Sequence, residues 1–273
     1  MTMSKLTLLA LLIAPVFLGI FLLAEDGPAS TPKSPASGEA RSDATKQSSR
    51  SSVEKKYPDQ DPAKGSLEGR VTIEGDAPSL PPKLVAPNHK DQAACANHLK
   101  EERWILSERK EVKDAVVSIR NYKPVEKVRP REISIDNLNC TFIPHVSATT
   151  VGSTLKVTNS DAFIHNFHAN LALQANFALG PGQSETKKLP RDGWVAINCD
   201  FHTWMAAHIK VFAHDLFDVT GCDGSFRIQN IPPGRHEIEI WHEYPLLSTR
   251  HEVTIEAGTA TKLDVALKVA PKN

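Results

Sequence analysis

No charge imbalance marks this chain: 32 Lys and Arg residues stand against 32 Asp and Glu. A nucleic-acid partner recruited by a basic surface therefore has no support. A sustained 3.6-residue apolar period is also missing, which argues against a helical bundle. The strained nucleophile turn G-x-S-x-G does not occur, so a hydrolase built on it is without a motif. Methionine is scarce, with three residues of which two are Met1 and Met3, so an open Met-rich segment for buffering a soft metal is absent.

What is present divides along the chain. A length of 273 residues accommodates two domains with cores of their own. Leu6 to Ala24 is almost unbroken apolar sequence behind Lys5, an export signal by pattern. Its length is close to the roughly 20 residues that span a bilayer, and no A-x-A site precedes Glu25. Residues 1–24 are therefore read as an uncleaved membrane anchor in preference to a cleaved signal peptide, with the rest of the chain outside the cytoplasm. Residues 25–65, rich in Ser, Pro, Ala, Lys and Asp, bury too little to offset ordering entropy and are expected to be a disordered tether.

From Ser66 onward, short apolar-alternating runs separated by Gly and Pro predict an all-β protein of the sandwich type. Leu67–Ile73, Val112–Ile119, Ile133–Ile135 and Gly152–Thr158 are expected strands, with a short helix around Asp91 to Leu99. The last of these strands leads into Asn159-Ser-Asp-Ala-Phe-Ile-His165-Asn166-Phe-His168. Later, Val195, Ile197 and Cys199 share one strand face, and Cys199-Asp-Phe-His202-Thr-Trp-Met205 follows on a loop. Soft sulfur together with imidazole selects copper, and a thiolate with two imidazoles and a long axial thioether is the donor set of a blue electron-transfer site. Zinc fits less well, since thioether is not among its usual ligands.

The paired patterns N-x-D-x-x-x-H-N and C-x-x-H-x-x-M resemble those of the small cupredoxins, with the loop spacing of amicyanin. The resemblance implies one type 1 copper held by His165, Cys199, His202 and Met205, with Asn166 tying the two ligand loops together by hydrogen bonds. Asp200 departs from the family's usual hydroxyl residue, and Phe201 and Thr203 stand where amicyanin has prolines. In an extended segment His165 and His168 face opposite ways, so only one reaches a metal. Asn166 selects His165, and His168 is expected at the surface or behind the ligands, out of reach of the metal. His145, in a strand-like stretch, is expected to be a structural histidine.

The resemblance covers roughly Pro130 to Ala213 and implies a Greek-key β-sandwich. Residues 66–213 are assigned to this cupredoxin-like domain, with 66–129 as an N-terminal extension. Residues 214–273 contain D-G-S-F-R-I-Q-N-I-P-P-G-R-H-E-I-E-I, which resembles a carboxypeptidase regulatory-like domain, a transthyretin-like sandwich of structural or interaction role. Trp241 and His242 are expected to pack at the contact between the domains. If Cys199 is a copper thiolate, three cysteines remain and at most one bridge forms; Cys95 with Cys140 is the expected pair, because Cys222 lies in a turn of the other module. Cys95 and His98, a C-x-x-H by spacing, lack two further ligands for a zinc site.

Taken together these features imply an exported, periplasmic or cell-surface electron-transfer protein that is not an enzyme, since no H-x-H motif is present for a further copper cluster. A redox partner would dock at an apolar patch of Phe201, His202 and Trp204. Copper binding without redox function, or a structural protein with a vestigial metal site, is the alternative.

Overall fold

The computed structural model describes Lys55 and residues 57–77, 79–244 and 247–269. The apolar run of residues 6–24 and most of the expected tether lie outside the described residues; among those described, no helix is long and apolar enough to cross a membrane. The end of the expected tether is part of the fold. The Tyr57 hydroxyl donates to Asp218 Oδ2 at 3.1 Å, and Lys55 Nζ lies 2.9 Å from Asp218 Oδ1. The Asp61 N–H donates to Asn230 Oδ1 at 2.7 Å, and Asn230 Nδ2 donates to the Asp59 carbonyl at 3.0 Å. The boundary at residue 65 is thus corrected to lie before Lys55. A polar segment poor in apolar residues is ordered here by side chains more than 150 residues away, which composition does not reveal.

The chain order is β1 (Gly65–Glu74), a single helical turn α1 (Gln92–Cys95), β2 (Val116–Ile119), β3 (Glu132–Leu138), β4 (Thr141–Ile143), β5 (Val146–Thr150) and β6 (Thr154–Asn159). There follow β7 (His165–Leu171), β8 (Ala175–Leu179), β9 (Ser184–Lys188), β10 (Gly193–Asn198) and β11 (Ala206–Phe212). The last are β12 (Phe217–Val219), β13 (Ser225–Ile231), β14 (Gly234–His242), β15 (Leu247–Ile255), β16 (Ala260–Lys262) and β17 (Val265–Lys268). The all-β expectation holds.

Two sandwiches result, each with its own core. In the inner one, a sheet of order β5-β11-β10-β7-β8 faces a sheet of order β4-β3-β6-β9, and Ile135, Phe142, Leu155, Val157, Phe167, Ile197 and Ile209 fill the space between them. In the outer one, β13-β1-β16 with β17 also on β1 faces β12-β2-β14-β15.

This pairing corrects the expected domain boundary. β1 runs antiparallel to β13 and parallel to β16 and β17, and β2 runs antiparallel to β12 and β14. β1 and β2 are therefore central strands of the C-terminal sandwich and not part of an extension of the inner one, which is inserted between β2 and β12. Leu67, Val71 and Ile73 of β1 are buried against Val117, Ile119, Phe226, Ile228, Ile238 and Ile240; each such side chain contributes roughly 1.5–3 kcal/mol by leaving water. Gly69 is required by the parallel neighbour, because a Cβ there would collide with the Leu263 carbonyl. Pairing across nearly the whole chain length leaves no local sequence signal.

The sandwiches meet through Val116, Val146 and Phe212, with the rings of Trp194 and Trp241 tilted against each other at 3.9 Å between centres. Trp241 packs at this junction as expected, whereas His242, expected there too, lies edge-on at 4.4 Å to Trp104 of the outer sandwich's core.

Candidate metal centre

Three ligating side chains converge at one end of the inner sandwich. His165 opens β7, Cys199 follows β10, and His202 lies in the loop between β10 and β11. Adjacent antiparallel pairing of β7 with β10 brings the two segments side by side, with His168 opposite Asn198. The available ligand atoms of His165, Cys199 and His202 lie within 4.8 Å of one another, and all three side chains are at most 1% exposed.

The hydrogen bonds fix which nitrogen of each ring faces the sulfur. His165 Nε2 is 2.8 Å from Asp161 Oδ2, and His202 Nε2 is 3.0 Å from Asp91 Oδ2. A carboxylate only accepts, so each Nε2 carries the proton and each Nδ1 presents a lone pair. His202 Nδ1 lies 3.5 Å from Cys199 Sγ. His165 Nδ1 is buried without any hydrogen-bond partner, a costly arrangement unless something else occupies that lone pair. Two imidazole lone pairs and a thiol in one buried cluster are a donor set that fits a soft or borderline cation.

Local structure explains the positioning. Asn159 closes the loop ahead of His165, its side-chain amide donating to the carbonyls of Phe163 and Leu179 at 2.8 Å each. Asp161 is held by the N–H groups of Asn139 and Cys140 at 2.7 and 2.9 Å. Asn166 joins the two ligand segments: its backbone N–H donates to Cys199 Sγ at 3.3 Å, and its Oδ1 accepts from the Asp200 N–H at 3.2 Å. Met205 is 1% exposed in the same apolar cluster as Cys199, and its N–H donates to the His202 carbonyl at 2.9 Å. His168 is turned out of the pocket, with Nδ1 2.9 Å from Asp200 Oδ1.

Burial dominates the electrostatics. It holds His165 and His202 below the ordinary imidazole range against the opposing pull of Asp161 and Asp91. Both rings are therefore neutral at neutral pH, the form that ligates metals. Burial also pushes the Cys199 thiol up, offset in part by N–H groups of Asn166, His202 and Phe201.

Sequence spacing does not reveal Asp91 and His89. Asp91 stands at the N-cap position of α1 but makes no side-chain cap; its carboxylate is spent on His202, and the helix is a single turn instead of the expected Asp91–Leu99 segment. His89 packs its ring 5.1 Å from both His202 and Trp204, with Nε2 2.9 Å from the Phe201 carbonyl. The Cys95–Cys140 disulfide anchors this covering segment to the turn between β3 and β4. The expected docking patch is altered accordingly: Phe201 is 42% exposed, but His202 has no exposed surface and Trp204 donates its Nε1–H to the Cys140 carbonyl at 3.1 Å. The segment of residues 89–95 stands where a partner was expected to touch the imidazole edge.

No protein-family model matches the chain, and no curated protein matches it. Among solved structures it is similar to the Cu-containing nitrite reductase from Thermus scotoductus SA-01, at 21% identity over 31% of this chain and 23% of that one, with a TM-score of 0.28. The chain thus matches about a quarter of that enzyme's length. It is also similar to a Cu(I) form of an amicyanin mutant (20% identity, 30% and 82% coverage, TM-score 0.26). A purple cupredoxin from Nitrosopumilus maritimus matches at 23% identity over 30% of this chain and 99% of that one, with a TM-score of 0.27. The ligand assignment rests on the geometry of the site itself.

Proposed function

We propose that this chain is an extracytoplasmic electron-transfer protein with one copper held by His165, Cys199, His202 and Met205. The observation that carries the reading is that ligand atoms of His165, Cys199 and His202 meet within 4.8 Å in a buried cluster, with His202 Nδ1 3.5 Å from the sulfur and His165 Nδ1 left without a partner. Bound copper would supply a one-electron couple. The protein's own part is a frame that changes little with the charge it encloses. Each ring is fixed through Nε2 on a carboxylate, and Asn166 bonds both ligand segments. No catalytic residue is assigned.

The compartment is inferred from two features. A disulfide between Cys95 and Cys140 suits an oxidising environment, and the apolar run behind Lys5 has the pattern of an export signal or anchor. The outer sandwich takes the structural or interaction role of the regulatory-like domain that its D-G-S-F-R-I-Q-N string resembles. A redox partner would approach over Phe201 and His89, with electrons crossing the covering segment.

The test is a visible spectrum of the chain from Lys55 onward after loading with Cu²⁺. An intense thiolate-to-copper band that bleaches on reduction and is absent in Cys199→Ser supports the reading. Stoichiometric copper without colour overturns it. The complete burial of His202 favours a second reading, copper binding without rapid redox exchange. A slow, partner-independent reduction of an otherwise blue protein would select that reading.

A further inference from the structure

A second cluster of ligating side chains lies where the two sandwiches meet. His145 immediately precedes β5 and His208 lies within β11, both in the inner sandwich, whereas Glu243 follows β14 in the outer one. Glu243 Oε2 is 2.7 Å from His145 Nε2 and 2.9 Å from His208 Nε2, and the three ligating atoms lie within 4.8 Å of one another. We propose that His145, His208 and Glu243 form a site for a divalent first-row cation of the Zn²⁺ type, which fastens one sandwich to the other.

Proton bookkeeping is the first argument. His145 Nδ1 lies 2.9 Å from the Ala206 carbonyl, an atom that can only accept, so Nδ1 carries the ring proton. In the neutral ring, Nε2 then turns a lone pair toward a carboxylate oxygen at 2.7 Å. Two lone pairs at that distance repel, and a cation must stand between them: a second proton or a metal ion.

Burial and the shape of the cluster distinguish the two. The side chains of His145 and Glu243 are 3% and 8% exposed, and a buried imidazolium–carboxylate pair carries a large desolvation cost. Glu102 and Asp114 act on His145 from neighbouring segments, each already paired with a lysine (Lys83 at 2.8 Å, Lys113 at 2.6 Å), and Arg103 lies near Glu243. A metal ion would bridge the carboxylate and both rings at once, which a single proton between Glu243 and His145 does not. The bond from His145 to a backbone carbonyl is the support that metal-ligating histidines nearly always have. Two imidazoles and a carboxylate form a three-residue zinc set with one position left open. His208, at 28% side-chain exposure, leaves an entry path.

Ligands at ~2.0–2.1 Å around a tetrahedral ion are about 3.3 Å apart, so loading draws the carboxylate back from the two nitrogens by roughly half an ångström. His208 lies three residues beyond Met205 on the strand leaving the first site, on the order of 10 Å along the chain. The two sites share an element but no ligand.

The experiment uses the full chain with Cys199→Ser, which removes the soft donor of the first site, and Zn²⁺ alone as the probe. After equilibration and dialysis, bound zinc is counted by elemental analysis and the thermal midpoint is recorded with and without the metal. Glu243→Gln and His208→Ala are compared on the same background; His208 is partly exposed, so its variant tests the site even if Glu243→Gln folds poorly. The expected result is one equivalent of zinc lost in each variant relative to the parent, together with loss of the zinc-dependent rise in midpoint. Equal zinc retention in all three proteins, or no retained zinc in the parent, overturns the proposal and leaves the cluster as a proton-bridged ion pair.

Discussion

Asp91 Oδ2 sits 3.0 Å from His202 Nε2, joining residues 111 apart in sequence. This contact fixes the tautomer of a fully buried imidazole. Its removal should be legible in metal affinity. Asp91→Ala is expected to fold and still bind copper, with affinity lower by ~10–100-fold, the usual range for losing a partner of a metal-ligating histidine. Competitive titration with a chelator measures it; an unchanged affinity would show that Asp91 does not orient the ring.

The two histidines of β7 separate cleanly by orientation. His165→Ala should abolish or open the copper site, since Cys199 and His202 alone cannot complete the donor set. His168→Ala should leave the charge-transfer band nearly intact, because its ring faces Asp200 outside the pocket. Asn166→Ala should retain copper with a shifted spectrum, as the bonds to Asp200 and Cys199 segments loosen. Loss of colour in His168→Ala with retention in His165→Ala would reverse the assignment.

Removing the disulfide should cost stability first. Cys95 and Cys140 are 45 residues apart, and the chain-entropy model assigns roughly 4 kcal/mol to a closed loop of that size. The double variant Cys95→Ala, Cys140→Ala should unfold at a correspondingly lower denaturant midpoint. An unchanged midpoint would mean that the covering segment is held by packing alone.

The outer sandwich should not assemble from its C-terminal part. A fragment of residues 214–273 lacks β1 and β2, which lie inside both of its sheets, and is expected to give a disordered circular dichroism spectrum. The chain from Lys55 should be more stable than one from Ser66, which loses the bonds of Tyr57 and Asp61 to Asp218 and Asn230. A cooperatively folded 214–273 fragment would contradict the interleaved topology.

His214 predicts a stability loss on mild acidification. Burial holds it below the ordinary imidazole range, with Asp215 opposing and Lys210 reinforcing, and its Nδ1 accepts the Leu216 N–H at 3.2 Å. The unfolded ring titrates near ~6.5. Below that pH the unfolded state binds the extra proton, so the stability present above ~6.5 falls as pH drops toward the folded value, by up to about 1.4 kcal/mol per pH unit. His214→Asn keeps an acceptor for the N–H two residues on and should flatten this slope in urea titrations between pH 7 and 5. An identical slope in the variant would assign the effect elsewhere.

The sequence by itself determined the strand-rich class, because period-two alternation and Gly/Pro punctuation are local properties of the chain. The spacing also placed the Cys199 thiol at a strand end with His202 and Met205 on the adjoining loop, and the resemblance of the two patterns added His165 to that set. The Cys95–Cys140 bridge was the expected pair because Cys222 lies in a turn of the other module, once the resemblance had set Cys199 aside as a thiolate. Tertiary structure alone decided where β1 and β2 belong, because parallel pairing with β16 and β17 spans about two hundred residues and obeys no local pattern. It alone decided that Asp91 and His89 cover His202, and that His145, His208 and Glu243 meet. Each of those contacts joins side chains from distant segments, whose proximity is fixed by the packing of whole sheets and has no expression in residue spacing.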